Sequence, residues 1–263
     1  MRGVGVTKRA SHGSGLGMTA GWLLALAVIV AFASLGRWQL ARMHQKQAKL
    51  DAAAHALDKR APQPLLLASD PKRAGAYDWA AGRGSIAGAT VWLDNQIHEG
   101  RPGVRMYCVL LPDDGVQALL VDAGWWPLDG QRTLPVFGCP LAHDAAVRGL
   151  LAPPPSTGLA SGAALATSGP QRWLATRLEL PAIARELKLS TGIAPRVLRL
   201  DPQRAQDDAG VMLAPGERDL DILPNTLTPE RHLGYAVQWF GLAAAVFVVA
   251  LVLTLRARRR SPQ

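Results

Sequence analysis

Two long apolar runs dominate the pattern of hydrophobic and polar positions, one near each end of the chain. The first, MTAGWLLALAVIVAFASLG, covers residues 18–36, and the second covers residues 233–255 without a formal charge. At about 1.5 Å per residue, either run forms a helix long enough to cross a hydrocarbon core of roughly 30 Å. The pattern therefore predicts two transmembrane helices, over residues 18–39 and 229–255.

The first run also has a second interpretation, as a cleaved signal peptide. The letters AFAS within it resemble a small-residue cleavage site. However, the run is longer than the apolar region of a typical signal peptide, and GRWQLARM follows it with a tryptophan and cations suited to a membrane interface. We therefore expect an uncleaved anchor.

Between the two runs, the pattern changes to short apolar segments separated by turn signals. Five of these segments are typical of strands, and VLLPDDGVQALLV predicts a hairpin. A helix is predicted to continue the first span through LARMHQKQAKLDAAAHALDKRAP as far as Pro62, and ELPAIARELKL predicts another. APPPSTGLASGAALATSGP reads as a flexible surface loop. The predicted fold class is membrane α+β, with one antiparallel, mostly β domain over residues 40–228.

The charge distribution adds an orientation to this arrangement. Most of the net charge of +9 comes from two short ends, residues 1–17 and 256–263, which carry no acidic residue. Basic segments beside membrane spans remain in the cytoplasm. We therefore expect both tails to be cytoplasmic and the central domain to be periplasmic, in a bacterial inner membrane. The same distribution argues against a nucleic-acid partner.

The two cysteines, Cys108 and Cys139, both fall in the central domain. Two cysteines do not by themselves establish a disulfide, and no CxxC or CxxCH motif is present. A disulfide is possible, but the interpretation we favour is two small buried hydrophobic residues.

Catalytic motifs do not emerge from the sequence. It contains no GxSxG, HExxH or P-loop pattern. The acidic pairs at 113–114 and 207–208 are typical of solvated loops, and His98 and His143 are typical of isolated surface histidines. We therefore do not expect an enzyme, although a membrane-tethered periplasmic enzyme that uses the β domain remains an alternative.

The start of the second span is unusually polar for a membrane helix. Thr228 and Pro229 are suited to cap and open a helix, which places His232 in the first turn. At about 100° per residue, Tyr235 and Trp239 share its face approximately. The positive end of the helix dipole favours the neutral imidazole, which is the form that ligates metals. An ordinary interfacial belt of aromatic residues explains the same pattern without a ligand.

Gln238 lies about two turns into this helix. An amide that faces lipid is costly because lipid offers it no hydrogen-bond partner. We therefore expect Gln238 to face the first span.

Three segments together resemble the Surfeit locus protein 1 family. They are LGRWQLARMHQK, the stretch EGRPGVRMYCVLLPDDGVQALLVDAGWWP with its Val-x-x-Gly-Trp-x-Pro pattern, and RHLGYAVQWFGLA. In the third segment, the family pattern His-Leu-x-Tyr-Ala-x-x-Trp-Phe falls on His232, Leu233, Tyr235, Trp239 and Phe240. The resemblance covers nearly the whole chain and includes the two-span topology.

This resemblance implies a membrane-anchored factor for assembly of haem–copper cytochrome c oxidase. Such a factor would bind haem a transiently and assist its insertion into oxidase subunit I, with haem a synthase and the lipid bilayer as further partners. His232 would then be a ligand of the haem iron, with other side chains around the macrocycle and its propionates: Tyr235, Trp239, Arg37, Trp38 and Arg42. The alternative is a protein scaffold or chaperone for subunit I whose second helix packs against the oxidase without binding haem.

Overall fold

Three α-helices and seven β-strands are found in the part of the chain that the computed structural model describes, residues 13–156, 162–204, 216–223 and 226–260. These residues form two units. One consists of the described residues up to Gln47 together with those from Leu227 onward, and the other covers Ala48–Thr226.

The first unit contains most of one long helix and all of another. Helix α1 is Gly13–Lys59 and helix α3 is Pro229–Arg260, and each contains a stretch long and apolar enough to cross a membrane. The predicted continuation of the first helix beyond its apolar run is confirmed. Arg60 closes α1, since its backbone N–H donates to the carbonyl of Ala56 at 3.0 Å and its Nε donates to that of Leu57 at 3.2 Å.

The second unit is built on a seven-stranded sheet. Its strand order is β2-β3-β7-β4-β1-β6-β5, and an additional pairing of β1 with β2 closes five of the strands into a barrel. The remaining two strands, β6 and β5, extend the sheet outward from β1. The strands are β1 Asp78–His98, β2 Arg101–Pro112, β3 Ala118–Pro127, β4 Asp144–Ala152, β5 Leu165–Gly169, β6 Arg172–Ala175 and β7 Ile193–Leu200.

The prediction of an antiparallel sheet is wrong, because the sheet is mixed. Strand β3 pairs with β7 in parallel, and β1 pairs with β6 in parallel. Both pairs join strands that are distant along the chain, so alternation within each segment carries no information about their relative direction. The closed ring, with its single parallel pair between the third and the last strand, has the strand order of an OB-type barrel. This similarity concerns fold alone.

The predicted hairpin is confirmed as β2 and β3, which pair antiparallel from Gly103↔Pro127 to Leu110↔Leu119. The predicted second helix is also present, as α2 Leu180–Glu186. Its Ile183 is buried against one face of the sheet, where it packs in a cluster with side chains of β1, β2, β3 and β7. Three short 3-10 helices, Leu65–Ser69, Pro71–Arg73 and Pro202–Arg204, complete the described elements.

The Pro/Ala/Gly stretch that was predicted to be a surface loop is partly a strand. Its residues 165–169 form β5, which pairs antiparallel with β6. Residues 157–161 of the stretch lie outside the described residues, as do Asp207 and Asp208. The small polar residues of β5 gave no alternating pattern, and pairing with β6 determines its conformation instead.

The interpretation of the cysteines as two unpaired buried residues is also wrong. Cys108 on β2 and Cys139 form a disulfide, with their Cα atoms 5.5 Å apart. The bond holds the β3–β4 connection, residues 128–143, on the barrel core. Leu134, Phe137 and Leu141 of this connection pack against the buried core. A disulfide is typical of an oxidising compartment.

Candidate functional site

The strongest candidate site lies between the two long helices, at the start of α3. Pro229 opens the helix, and the backbone N–H of His232 donates to the carbonyl of Thr228 at 3.2 Å. The imidazole points toward α1 and only 6% of the residue is exposed. The first turn of α3 therefore presents His232 to the neighbouring helix.

Gln39 of α1 is the partner of this histidine. The Nδ1 atom of His232 lies 2.6 Å from the side-chain oxygen of Gln39, although 193 residues separate the two along the chain. The other ring nitrogen, Nε2, is buried and has no hydrogen-bond partner within the described residues. Buried polar atoms almost always have a partner, so this nitrogen calls for an explanation.

Small side chains allow the two helices to approach closely just below the histidine. Ala236 and Ala243 are buried on the same face of α3, with 1% and 8% exposure. On α1, a Cβ atom added at Gly36 would lie only 2.8 Å from the Phe240 ring. Small residues at membrane helix contacts have this effect in general. The ring of Trp239 also meets α1, with its centroid 5.4 Å from that of Phe32.

The other predicted site residues do not converge on the imidazole. Tyr235 is 43% exposed and Trp38 is 51% exposed. Arg37 is exposed as well, and Arg42 is exposed with its guanidinium carbon 5.7 Å from the centroid of the Trp38 ring. Of the six predicted residues, His232 and Trp239 therefore face α1, while the others lie on the outer surface of the helix pair.

The prediction that Gln238 faces the first span is wrong, because Gln238 is exposed on α3. It lies two residues beyond the buried Ala236, which rotates it by about 200° away from the contact face. The glutamine at the contact is Gln39, which sequence reasoning did not assign to the site. A signal was available, since Gln39 follows Gly36 by three residues and therefore shares its helix face.

The same helix pair contains an apolar groove of about 820 Å³, and His232 is not among the residues that line it. Its lining residues come from the N-terminal half of α1 and the C-terminal half of α3, and include Gly21, Trp22, Ala25, Val249 and Leu253. The Trp22 indole N–H donates to the hydroxyl of Thr254 there, at 2.9 Å. The groove is therefore separate from the candidate site around His232.

The β domain contains a buried polar network. Arg105 is paired with Asp122 at 3.0 Å and also with Asp219, while Arg199 is paired with Asp219 at 2.7 Å. Burial alone would raise the pKa of Asp219, but the two guanidinium groups outweigh burial and hold the pKa below its usual range. Burial raises the pKa of Tyr107 far above its ordinary value, with a further contribution from the charge of Asp122.

This network attaches the segment 216–223 to the barrel. The backbones of Trp125 and Glu217 exchange two hydrogen bonds, of 2.9 and 2.8 Å. Gly124 has a φ of +127°, and a Cβ atom there would lie 2.8 Å from the carbonyl oxygen of Gly216. Gly124 and Trp125 of the sequence pattern therefore have a structural role, since they bind the segment 216–223 to β3.

The interpretation of His98 as an isolated surface residue is wrong. Its Nε2 lies 3.5 Å from Glu217 and its Nδ1 lies 3.5 Å from Asp219, so the ring lies beside this segment. His143 is exposed, as expected. Within the described residues, no group of three or more His, Cys, Asp or Glu side chains is arranged to hold a metal ion.

A comparison with family models gives a match to the SURF1 family over residues 26–244. This range includes Gln39, His232 and the whole barrel. The chain belongs to the SURF1 family. No curated protein matches the chain. The SURF1 family is associated with cytochrome oxidase assembly, and its members are membrane-anchored assembly factors, not a known class of enzyme.

Proposed function

We propose that this SURF1-family protein binds haem a transiently and assists its insertion into subunit I of cytochrome c oxidase. The observation that carries the proposal is the buried Nε2 atom of His232, which has no partner within the described residues. An imidazole nitrogen with a free lone pair is a common ligand of haem iron.

The candidate site offers a histidine ligand for a haem, while most of the side chains expected around the macrocycle lie on the outer surface of the helix pair. The haem would supply an apolar macrocycle, an iron with axial coordination positions and two propionates. His232 would ligate the iron through Nε2, because Gln39 already engages Nδ1. Trp239 would contact the macrocycle from within the helix contact. Tyr235 and the cations Arg37 and Arg42, beside Trp38, lie on the outer surface and would reach the macrocycle and its propionates only once the helices separate.

Burial of His232 has a functional consequence. With 6% of the residue exposed, Nε2 lies within the contact between α1 and α3. Ligand exchange therefore requires the helices to separate locally at this level. A site of this kind suits a carrier that binds moderately and releases its cargo.

The proposed arrangement in the bacterial inner membrane places both tails in the cytoplasm and the β domain in the periplasm. The basic tails support this orientation. The Cys108–Cys139 disulfide supports an oxidising compartment for the domain. In this orientation the start of α3 lies at the periplasmic surface, where haem a synthase and subunit I would be partners.

A second candidate function is a scaffold that docks on subunit I without binding haem. It is favoured by the exposed apolar side chains of α3, among them Val237 at 64%. In this alternative, the His232–Gln39 contact joins two helices and has no further role.

The experiment that separates the two functions is co-expression of the full chain with haem a synthase and subunit I. The carrier function predicts a Soret absorbance on the purified parent protein and its loss in His232→Ala. His44→Ala is the matched control, since His44 lies exposed on α1. A colourless parent protein that still co-purifies with subunit I would contradict the carrier function and favour the scaffold.

A further inference from the structure

We propose that Gln39 is a positioning residue for His232, which holds the imidazole as the tautomer with its proton on Nδ1. Its effect would be to keep the lone pair on Nε2 and to fix the orientation of the ring. The haem-related part of this inference rests on the proposed function, but the assignment of the tautomer does not.

The contact between His232 and Gln39 determines which ring nitrogen carries the proton. The Nδ1 atom lies 2.6 Å from the Gln39 side-chain oxygen. An amide oxygen can only accept a hydrogen bond, so Nδ1 must be the donor and must carry the proton. In the neutral ring, Nε2 then has a lone pair and no hydrogen.

The opposite orientation of the Gln39 amide would be unfavourable. If the amide nitrogen faced Nδ1, the ring proton would move to Nε2. That N–H would be a buried donor, and no acceptor lies within hydrogen-bond distance of Nε2 among the described residues. Buried donors without an acceptor are rarer in proteins than buried acceptors without a donor. The orientation in the structure is therefore the favourable one.

The His232–Gln39 contact has the form by which proteins hold histidine ligands of metals. A metal-ligating histidine commonly donates its second ring N–H to a carboxylate, a carbonyl group or water, which fixes the tautomer and the ring orientation. Here the amide oxygen of Gln39 accepts the hydrogen bond from the Nδ1–H of His232. The contact crosses between the two long helices, so it also couples the state of the ring to the packing of α1 against α3.

Gln238 provides a matched control. Both glutamines lie on the long helices, but Gln238 is exposed on α3 and no hydrogen bond of its side chain is found among the described residues. Replacing either residue by leucine makes the same chemical change. Only the change at Gln39 removes a partner of His232.

The experiment begins with the haem-free full chain in lipid nanodiscs. The ring nitrogens of ¹⁵N-labelled histidine report the tautomer by NMR, and the signal of His232 is identified by its absence in His232→Ala. We expect the parent and Gln238→Leu to carry the proton on Nδ1. In Gln39→Leu, we expect a shift of population to the Nε2–H form, while Gln39→Glu, which retains an acceptor of the same length, keeps the parent tautomer.

The second part of the experiment titrates the same four proteins with haem a. Loss of the partner of a metal-ligating histidine typically weakens metal affinity by about 10- to 100-fold. We expect a loss of that size in Gln39→Leu and none in Gln238→Leu, with affinity restored in Gln39→Glu. A variant that no longer accumulates in the membrane is replaced by Gln39→Met, which tests the same loss of the acceptor.

The outcomes distinguish this inference from the proposed function. An unchanged tautomer in Gln39→Leu, or unchanged haem affinity despite a changed tautomer, would overturn the positioning role while haem binding by the parent still stands. A parent protein that binds no haem would instead overturn the proposed function, and with it the haem role of Gln39. The tautomer measurement would still decide the assignment of the ring proton.

Discussion

Removing the Cys108–Cys139 disulfide should destabilise the β domain by several kcal/mol without changing its fold. The two cysteines are 31 residues apart in sequence. In the chain-entropy account, closing a loop of this length removes about 12 cal/mol/K from the unfolded chain, which corresponds to about 3.7 kcal/mol at 25 °C. The connection 128–143 should keep its apolar contacts with the core, so the loss should not greatly exceed this value.

The assay is denaturant unfolding of the full chain in detergent, followed by tryptophan fluorescence. We expect the double variant Cys108→Ala/Cys139→Ala and the parent protein in reductant to show the same loss of unfolding free energy. Thiol labelling of the denatured parent should detect no free thiol before reduction and two after it. A loss below about 1 kcal/mol, or free thiols in the unreduced parent, would refute the reasoning.

Four further predictions concern other parts of the molecule. Asp219→Ala leaves two buried arginines short of a partner and should cost about 3 kcal/mol in unfolding free energy, whereas Asp113→Ala on the surface should cost little. Folding lowers the pKa of Asp78 and Asp219, so these carboxylates stabilise the protein above their unfolded pKa of about 4. The unfolding free energy should therefore fall as the pH drops below that value, and an unfolding free energy that does not change with pH would contradict this. Gly36→Val should separate the long helices because the new side chain meets Phe240, whereas Gly21→Val should leave them in contact. Disulfide cross-linking within the membrane can measure the separation. Reporter fusions within the β domain should be active only in a periplasmic format, and fusions after the C-terminal arginine cluster only in the cytoplasm.

Local sequence patterns were sufficient to predict the elements whose partners are close along the chain. The two apolar runs, the helical extension to Lys59 and the β2–β3 hairpin each follow from composition or from a short turn. The parallel pairs of the barrel were not predictable in this way. Strands β3 and β7 are separated along the chain by three strands, β4, β5 and β6, and by α2, and their direction depends on the closure of the ring.

The candidate site shows the same limit. His232 was found because a polar residue at the start of an apolar helix is conspicuous. Its partner Gln39 was missed, and Gln238 was wrongly predicted to face the first span, because the rotation of each long helix cannot be read from a run that is apolar on every side. The small residues decide the rotation, since Gly36 and Ala236 mark the faces that approach each other.

Titration of the purified, haem-free full chain with haem a, monitored by visible absorbance, tests whether His232 ligates the haem iron. Ligation by His232 predicts a spectrum characteristic of histidine ligation in the parent protein and its loss in His232→Ala. It also predicts that His44→Ala and His143→Ala, at two exposed positions, retain the parent spectrum and affinity. An unchanged spectrum and affinity in His232→Ala would exclude His232 as the haem ligand and favour the start of α3 as a docking surface.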